Sequence, residues 1–274
     1  LALGGGKAVI IGDSKTMKTE ALFRRFGRFV DSLAGKYITA EDVGVSPSDM
    51  VWVSKETKHV VGLPGKSGDP SPVTAFGTYM GIKACAKIRY GSDALEGKKI
   101  LVQGVGHVGE YLVAHLRKEG AQVFISDINT ETVNRIVNTY GAVGMDLDRV
   151  YDLDMDIYAP CALGGTINDE TLSKLKCGIV AGAANNQLGI EDVHGLSLLN
   201  KGILYAPDFA INAGGVMNCF SEVEGLSNEW AMAKSEKIYN TIFDIVSRSE
   251  KERTPSHIIA MKMAEEKINK GSKK

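Results

Sequence analysis

The residues best placed to do chemistry lie between Lys98 and Asp127, in KKILVQGVGHVGEYLVAHLRKEGAQVFISD. Gly104, Gly106 and Gly109 form a G-x-G-x-x-G between an apolar run at 100–102 and a segment whose Val108, Leu112, Val113 and Leu116 share one helical face. In that order the first glycine permits a tight turn, the second lets a pyrophosphate approach the backbone, and the third lets helix and strand pack closely. The helix start offers unpaired N–H groups and partial positive charge to the phosphates. A second apolar run, 123–125, ends at Asp127, eighteen residues after Gly109. A carboxylate there accepts hydrogen bonds from ribose hydroxyls and repels a 2′-phosphate. A glycine-rich turn alone would say little. Strand, helix, second strand and acid in sequence predict a site for NAD rather than NADP.

Three other groups carry reactive or hydrogen-bonding side chains. Lys7 follows Gly4, Gly5 and Gly6, but Ala8 stands where a phosphate-binding P-loop needs Ser or Thr. Spacing leaves Lys7 open between a solvated loop lysine and a lysine held at a glycine-lined site. Glu41 and Asp42 follow a strand-like 37–39; adjacent acids are commonly solvated, yet strand ends are also where α/β folds place reactive groups. Apolar runs at 179–182 and 204–208 lead into Asn185-Asn186-Gln187 and Asn212-Ala213-Gly214-Gly215. Amides suit a carboxamide, a ribose or a substrate carboxylate, although Asn and Gly are also ordinary turn residues. Two such stretches, each closing a strand, favour the functional reading.

The elements that must position these groups follow from hydrophobic period. Residues 19–33 carry Leu22, Phe23, Phe26, Phe29, Val30 and Leu33 at helical spacing. Short apolar runs at 9–11 and 37–39 read as strands. Pro47 opens a further helix, 73–90 reads as a helix with Ala and Gly crowded on one side, and 129–140 as another. Residues 228–270 read as helical with a break near Pro255. The stretch GLPGKSGDPSP at 62–72 is the best candidate for a linker or hinge. The chain has 274 residues, 44% hydrophobic and 24% charged, with a formal net charge of −1. This composition suits a two-domain α/β protein and gives no broad basic face for nucleic acid. No run reaches membrane-span length, so no membrane partner is expected. Cys85, Cys161, Cys177 and Cys219 lack metal-ligand spacing, so no metal is expected, and reduced thiols in a cytoplasmic protein are.

The combination LGGGKAVIIGD, YITAEDVG, GDPSPVTAFG, VQGVGHVG, YAPCALGGTIND, AGAANNQL and INAGGVMN resembles the amino-acid dehydrogenases of the glutamate, leucine, phenylalanine and valine group, the leucine enzymes most of all. The resemblance covers nearly the whole chain. It implies NAD-dependent oxidative deamination of an L-amino acid to the 2-oxo acid and ammonium, in a homo-oligomer. Lys7 then matches the general base that activates water, and Asp42 the carboxylate that moves protons at the substrate nitrogen; Glu41 receives no role. Thr74 matches a residue near the nicotinamide carboxamide. Asn185 and Asn186 fall in the stretch that meets the substrate carboxylate and the nicotinamide side, and Asn212 in another nucleotide-side loop. Ala40, Val216 and Cys219 match positions lining the side-chain pocket. Cys219 stands where leucine-preferring members usually carry a small aliphatic residue, and it is itself small and mostly apolar.

Family members also carry a stretch before the glycine-rich turn, with a second lysine that grips the substrate carboxylate and has no match here. The resulting expectation is a fragment of the family's chain. Residues 1–66 would be the remainder of a substrate domain, 67–225 a Rossmann-type doubly wound NAD domain, and 226–274 C-terminal helices packing back across the cleft. The expected substrate is branched and aliphatic, most simply L-leucine, since Ala40, Val216 and Cys219 offer no cation for a glutamate side chain. A relative acting on valine or phenylalanine, or a catalytically silent NAD-binding fragment, is the alternative.

Overall fold

The structure, a computed structural model, describes residues 1, 3–66 and 68–271. It divides into two compact units: Leu1–Pro70 with Gly215–Met232, and Ser71–Gly214 with Ala233–Lys274. The division at Pro70 falls inside the Gly/Pro stretch. At the other end, residues 215–232 group with the first unit, whereas the sequence expectation carried the nucleotide domain on to 225.

In the first unit, the segment before Pro70 carries α1 (Glu20–Ser32) and α2 (Pro47–Ser54). Thr19 caps α1 through its side-chain oxygen. Ser46 and Asp49 form a capping box on α2, with Pro47 in its first turn. Phe23 of α1 packs on Met50 and Val53 of α2 and on Val60. Beside them, Thr39 and Val60 make one parallel bridge, so the strand expected at 37–39 shrinks to a single residue. The strand expected at 9–11 is absent: Val9 and Ile11 are exposed. Apolar alternation gives strand propensity, but a strand exists only with a paired neighbour.

The second unit is a six-stranded parallel sheet in the order β3-β2-β1-β4-β5-β6. Its strands are β1 (Lys99–Gln103), β2 (Gln122–Ser126), β3 (Val143–Gly144), β4 (Ile157–Pro160), β5 (Ile179–Val180) and β6 (Leu204–Tyr205). This is the doubly wound dinucleotide-binding order, with its switch point between β1 and β4. Ile100, Leu101 and Val102 are all fully buried, as a parallel sheet covered on both faces requires. Each such side chain stabilises the fold by ~1.5–3 kcal/mol. Helices α3 (Ser71–Tyr90), α4 (His107–Lys118), α5 (Thr130–Tyr140), α6 (Asp169–Lys174), α7 (Glu191–Asn200) and α8 (Asp208–Ile211) intervene. The small-residue side of α3 explains itself: a Cβ on Gly81 would lie 2.4 Å from Ile211, and one on Gly77 2.5 Å from Ile238. Ile238 starts α11 (Ile238–Glu252), which with α12 (Ser256–Gly271) completes the unit. Apart from its first residue α9 (Gly214–Val223) belongs to the first unit, and α10 (Asn228–Glu236) is divided at Met232.

Candidate active site

In the first unit the structure brings Lys7 and Asp42 together: Lys7 Nζ forms an ion pair with Asp42 Oδ2. The glycine turn makes this possible, because the ring of Tyr37 packs 3.0 Å from where a Cβ on Gly6 would sit. Asp42 is aimed by its own turn, since its Oδ1 accepts the N–H of Val43 at 2.8 Å and its carbonyl that of Val45 at 2.8 Å. Both side chains remain solvent-accessible, 68% and 46%. Pairs this open add little to folding, so stability does not explain them. Lys7 thus combines an open, solvated side chain with a carboxylate partner across the glycine turn.

The residues expected to line a side-chain pocket, Ala40, Val216 and Cys219, all belong to this unit. Gly62 N–H donates to Glu222 Oε2 at 2.8 Å, which ties α9, carrying Val216 and Cys219, to the segment after Val60. Cys219 is half-buried; burial, helped by the charges of Glu222 and Glu41, pushes its thiol up to about 11. At neutral pH it is an uncharged, weakly polar side chain.

In the second unit the glycine loop is built as the motif requires. Gly104 leaves β1 at φ +93°, and a Cβ there would meet the backbone of Ala162 at 2.6 Å. A Cβ on Gly109 would lie 2.1 Å from the Gly104 carbonyl oxygen, whereas one on Gly106, the N-cap of α4, meets nothing within 4 Å. Two glycines are thus demanded by packing and the third faces open space, at a helix start with no side-chain cap. A pyrophosphate fits that opening. Asp127 does more than the sequence shows: its Oδ2 accepts the N–H of Val105 at 2.8 Å and its Oδ1 that of Asn129 at 2.9 Å. A carboxylate has about four lone-pair sites, so it fastens the glycine loop and keeps acceptors for a ribose.

The remaining amides follow along the same sheet edge. A Cβ on Gly164 would meet the carbonyls of Asn185 and Asn186 at 2.7 and 2.6 Å. Asn212 Nδ2 donates to Asn185 Oδ1 at 2.5 Å and to the Ala183 carbonyl at 3.2 Å. A Cβ on Gly214 would meet Val73 O at 2.3 Å and Thr74 Cα at 2.8 Å, so Thr74, in the first turn of α3, abuts the Asn212 loop. Local contacts thus link Gly104 to Ala162, Gly164 to Asn185 and Asn186, and Asn212 to Asn185, with Thr74 beside Gly214. Sequence reading missed Gly164, Gln187 and Asp208. Gly-Gly directly after an apolar strand was the available signal for the first. Asp208 was masked because 204–208 reads as one strand, whereas β6 ends at Tyr205 and Asp208 opens α8.

Residues 1–59 match the Glu/Leu/Phe/Val dehydrogenase dimerisation domain, and residues 125–270 match the Glutamate/Leucine/Phenylalanine/Valine dehydrogenase family. The leucine dehydrogenase of Thermoactinomyces intermedius is 52% identical over 98% of this chain and 74% of its own length. The phenylalanine dehydrogenase of Caldalkalibacillus thermarum is 42% identical over 97% of this chain and 74% of its own. The crystal structure of L-tryptophan dehydrogenase from Nostoc punctiforme superposes with a TM-score of 0.82 at 41% identity, covering 94% of this chain and 75% of that one. The fold and site define a nucleotide-dependent oxidoreductase of the Rossmann class. More narrowly, the chain belongs to the Glu/Leu/Phe/Val dehydrogenase family: it is an amino-acid dehydrogenase, and NAD is its cofactor.

Proposed function

We propose that this protein oxidatively deaminates a branched aliphatic L-amino acid, most simply L-leucine, to the 2-oxo acid and ammonium. The observation that carries the reading is the Lys7–Asp42 pair in the same unit as Ala40, Val216 and Cys219, positions that offer no charge. A glutamate side chain would find no cation there. Leucine dehydrogenases stand at about half identity, and the small, uncharged side chains of Ala40, Val216 and Cys219 suit an aliphatic substrate.

The reaction consumes the amino acid, NAD⁺ and water and yields the 2-oxo acid, ammonium, NADH and a proton. Bound NAD supplies the hydride acceptor. Asp42 accepts a proton from the substrate ammonium, leaving a neutral amine whose Cα–H bond can release hydride. Lys7, having first released its own proton to solvent, takes one from the water that attacks the resulting iminium carbon. Asp42 then returns its proton to the departing nitrogen. The contact between the two side chains lets them share one proton network, so neither works without the other. Thr74, Asn186 and Asn212 bind the cofactor with Gly104, Gly106, Gly109 and Asp127, while Asn185 meets the substrate carboxylate.

Replacement tests these roles. Lys7→Ala and Asp42→Asn each lower turnover by about 10²–10⁴-fold, while NADH binding, read by nucleotide fluorescence, stays as in the unmodified protein. Turnover retained in either variant removes that residue from the mechanism. The dimerisation-domain match at 1–59 and the exposed Phe29 and Leu33 of α1 further support a homo-oligomer. Four free thiols agree with a reducing, cytoplasmic setting. No helix among the described residues is long and apolar enough to cross a membrane.

A further inference from the structure

The loops after β5 and β6 carry Asn185, Asn186 and Asn212, and one buried side chain holds the first loop in shape. Gln187 is 0% exposed. Its Nε2 donates to the carbonyls of Gly182 at 2.8 Å and Ala184 at 2.9 Å, closing residues 182–187 on themselves. Both amide hydrogens are thereby used, and the reverse orientation would set oxygen against two carbonyl oxygens, so the amide has one orientation. Its backbone N–H reaches out of the loop to Asp208 Oδ2 at 3.1 Å. The other oxygen of Asp208 accepts the N–H of Phe209 at 2.8 Å, and its carbonyl accepts that of Asn212 at 3.0 Å. Asp208 therefore joins the two amide-bearing loops through Gln187.

Two features indicate that this arrangement serves more than packing. Asn186 is held at φ +52°, a left-handed conformation that non-glycine residues adopt at a cost, and its carbonyl accepts the N–H of Gly165 at 2.7 Å. Gln187 Oε1 is buried with no hydrogen-bond partner among the described residues. An apolar side chain of similar volume would fill the site without that orphaned acceptor. A glutamine that leaves half its amide unsatisfied is accounted for by what the other half holds.

We infer that Gln187, anchored by Asp208, is the positioning residue that presents Asn186 to the dinucleotide. The inference rests on the reading that this amide binds cofactor. NADH titration of the full chain, followed by nucleotide fluorescence, tests it with Gln187→Met, Asn186→Gly, their double variant and Asp208→Asn. Asn186→Gly removes the amide and keeps the left-handed backbone. Leu198→Ala, a fully buried side chain of α7 outside the site, is the control for lost stability.

The expected result is a dissociation constant raised about tenfold by Gln187→Met and by Asn186→Gly. The double variant should bind about as weakly as either single one, because coupled residues are non-additive. Asp208→Asn weakens binding in the same direction, and Leu198→Ala lowers the melting temperature without altering affinity. Losses that multiply in the double variant overturn the inference. So does wild-type affinity in Gln187→Met beside weakened Asn186→Gly, an outcome that leaves the cofactor reading of Asn186 intact. Wild-type affinity in Asn186→Gly overturns that cofactor reading, and the inference with it.

Discussion

At the residue scale, side chains in this protein often serve two demands at once. Asp127 braces the glycine loop and offers acceptors for a ribose. Asp49 closes the capping box of α2 and pairs with Lys18 at 2.7 Å with only 7% of its side chain exposed. Burial pulls its carboxyl upward, but the hydrogen bond from Lys18, those from Ser46 and the lysine charge outweigh that and hold it below the usual carboxylate value. The sign follows. A carboxylate lowered in the folded state contributes stability that is fully present above its unfolded value of 3.8 and is lost as pH falls through the folded one. Melting curves of the protein and of Asp49→Asn should thus differ at neutral pH and begin to converge only as pH falls below about 4. An equal gap at both pH values contradicts the assignment. Such residues were only partly legible. Asp127 was found by its distance from the glycines, whereas its bonds to Val105 and Asn129 needed coordinates. The Asn185-Asn186-Gln187 run marks an amide-bearing loop, but a buried amide and a solvated one are written with the same letter, so the sequence does not separate Gln187 from its neighbours.

Elements set the terms on which those residues act. The β1–α4 turn was readable because everything that defines it is local: an apolar run, three spaced glycines and a helical face. What depended on long-range pairing was less readable. Residues 9–11 carry strand propensity without a partner, β3 gave no signal, and the strands read at 179–182 and 204–208 shorten to the two residues of β5 and β6 that pair with a neighbour. The glycines of the turn separate packing from binding. Replacing glycine by alanine inside a helix usually gains up to ~1 kcal/mol. At Gly109 the added carbon would lie 2.1 Å from a carbonyl oxygen, and overpacking of that kind costs ~1–3 kcal/mol or more. Gly109→Ala should melt lower and bind NADH poorly. Gly106→Ala meets open space, so its melting temperature should match the unmodified protein while NADH affinity falls about tenfold or more. Calorimetry with fluorescence titration reads both. Equal effects of the two substitutions on stability would contradict the geometry.

For the whole molecule, division of labour follows the two compact units. Lys7, Asp42, Ala40, Val216 and Cys219 belong to Leu1–Pro70 with Gly215–Met232, and the residues proposed to hold the dinucleotide to the other unit. The return of residues 215–232 to the first unit was not visible in sequence, because α9 begins at a glycine in one unit and continues in the other. Assembly belongs to this scale as well. Light scattering should give a mass that is a multiple of 29.4 kDa; a single-chain mass at micromolar concentration contradicts the oligomer. The central claim is tested most directly by following NADH formation from NAD by the purified 274-residue chain with L-leucine, L-valine, L-phenylalanine, L-tryptophan and L-glutamate in parallel. The account predicts the highest kcat/KM with L-leucine and none measurable with L-glutamate. Faster turnover of an aromatic substrate, or no turnover of any amino acid by a chain that still binds NADH, would contradict it.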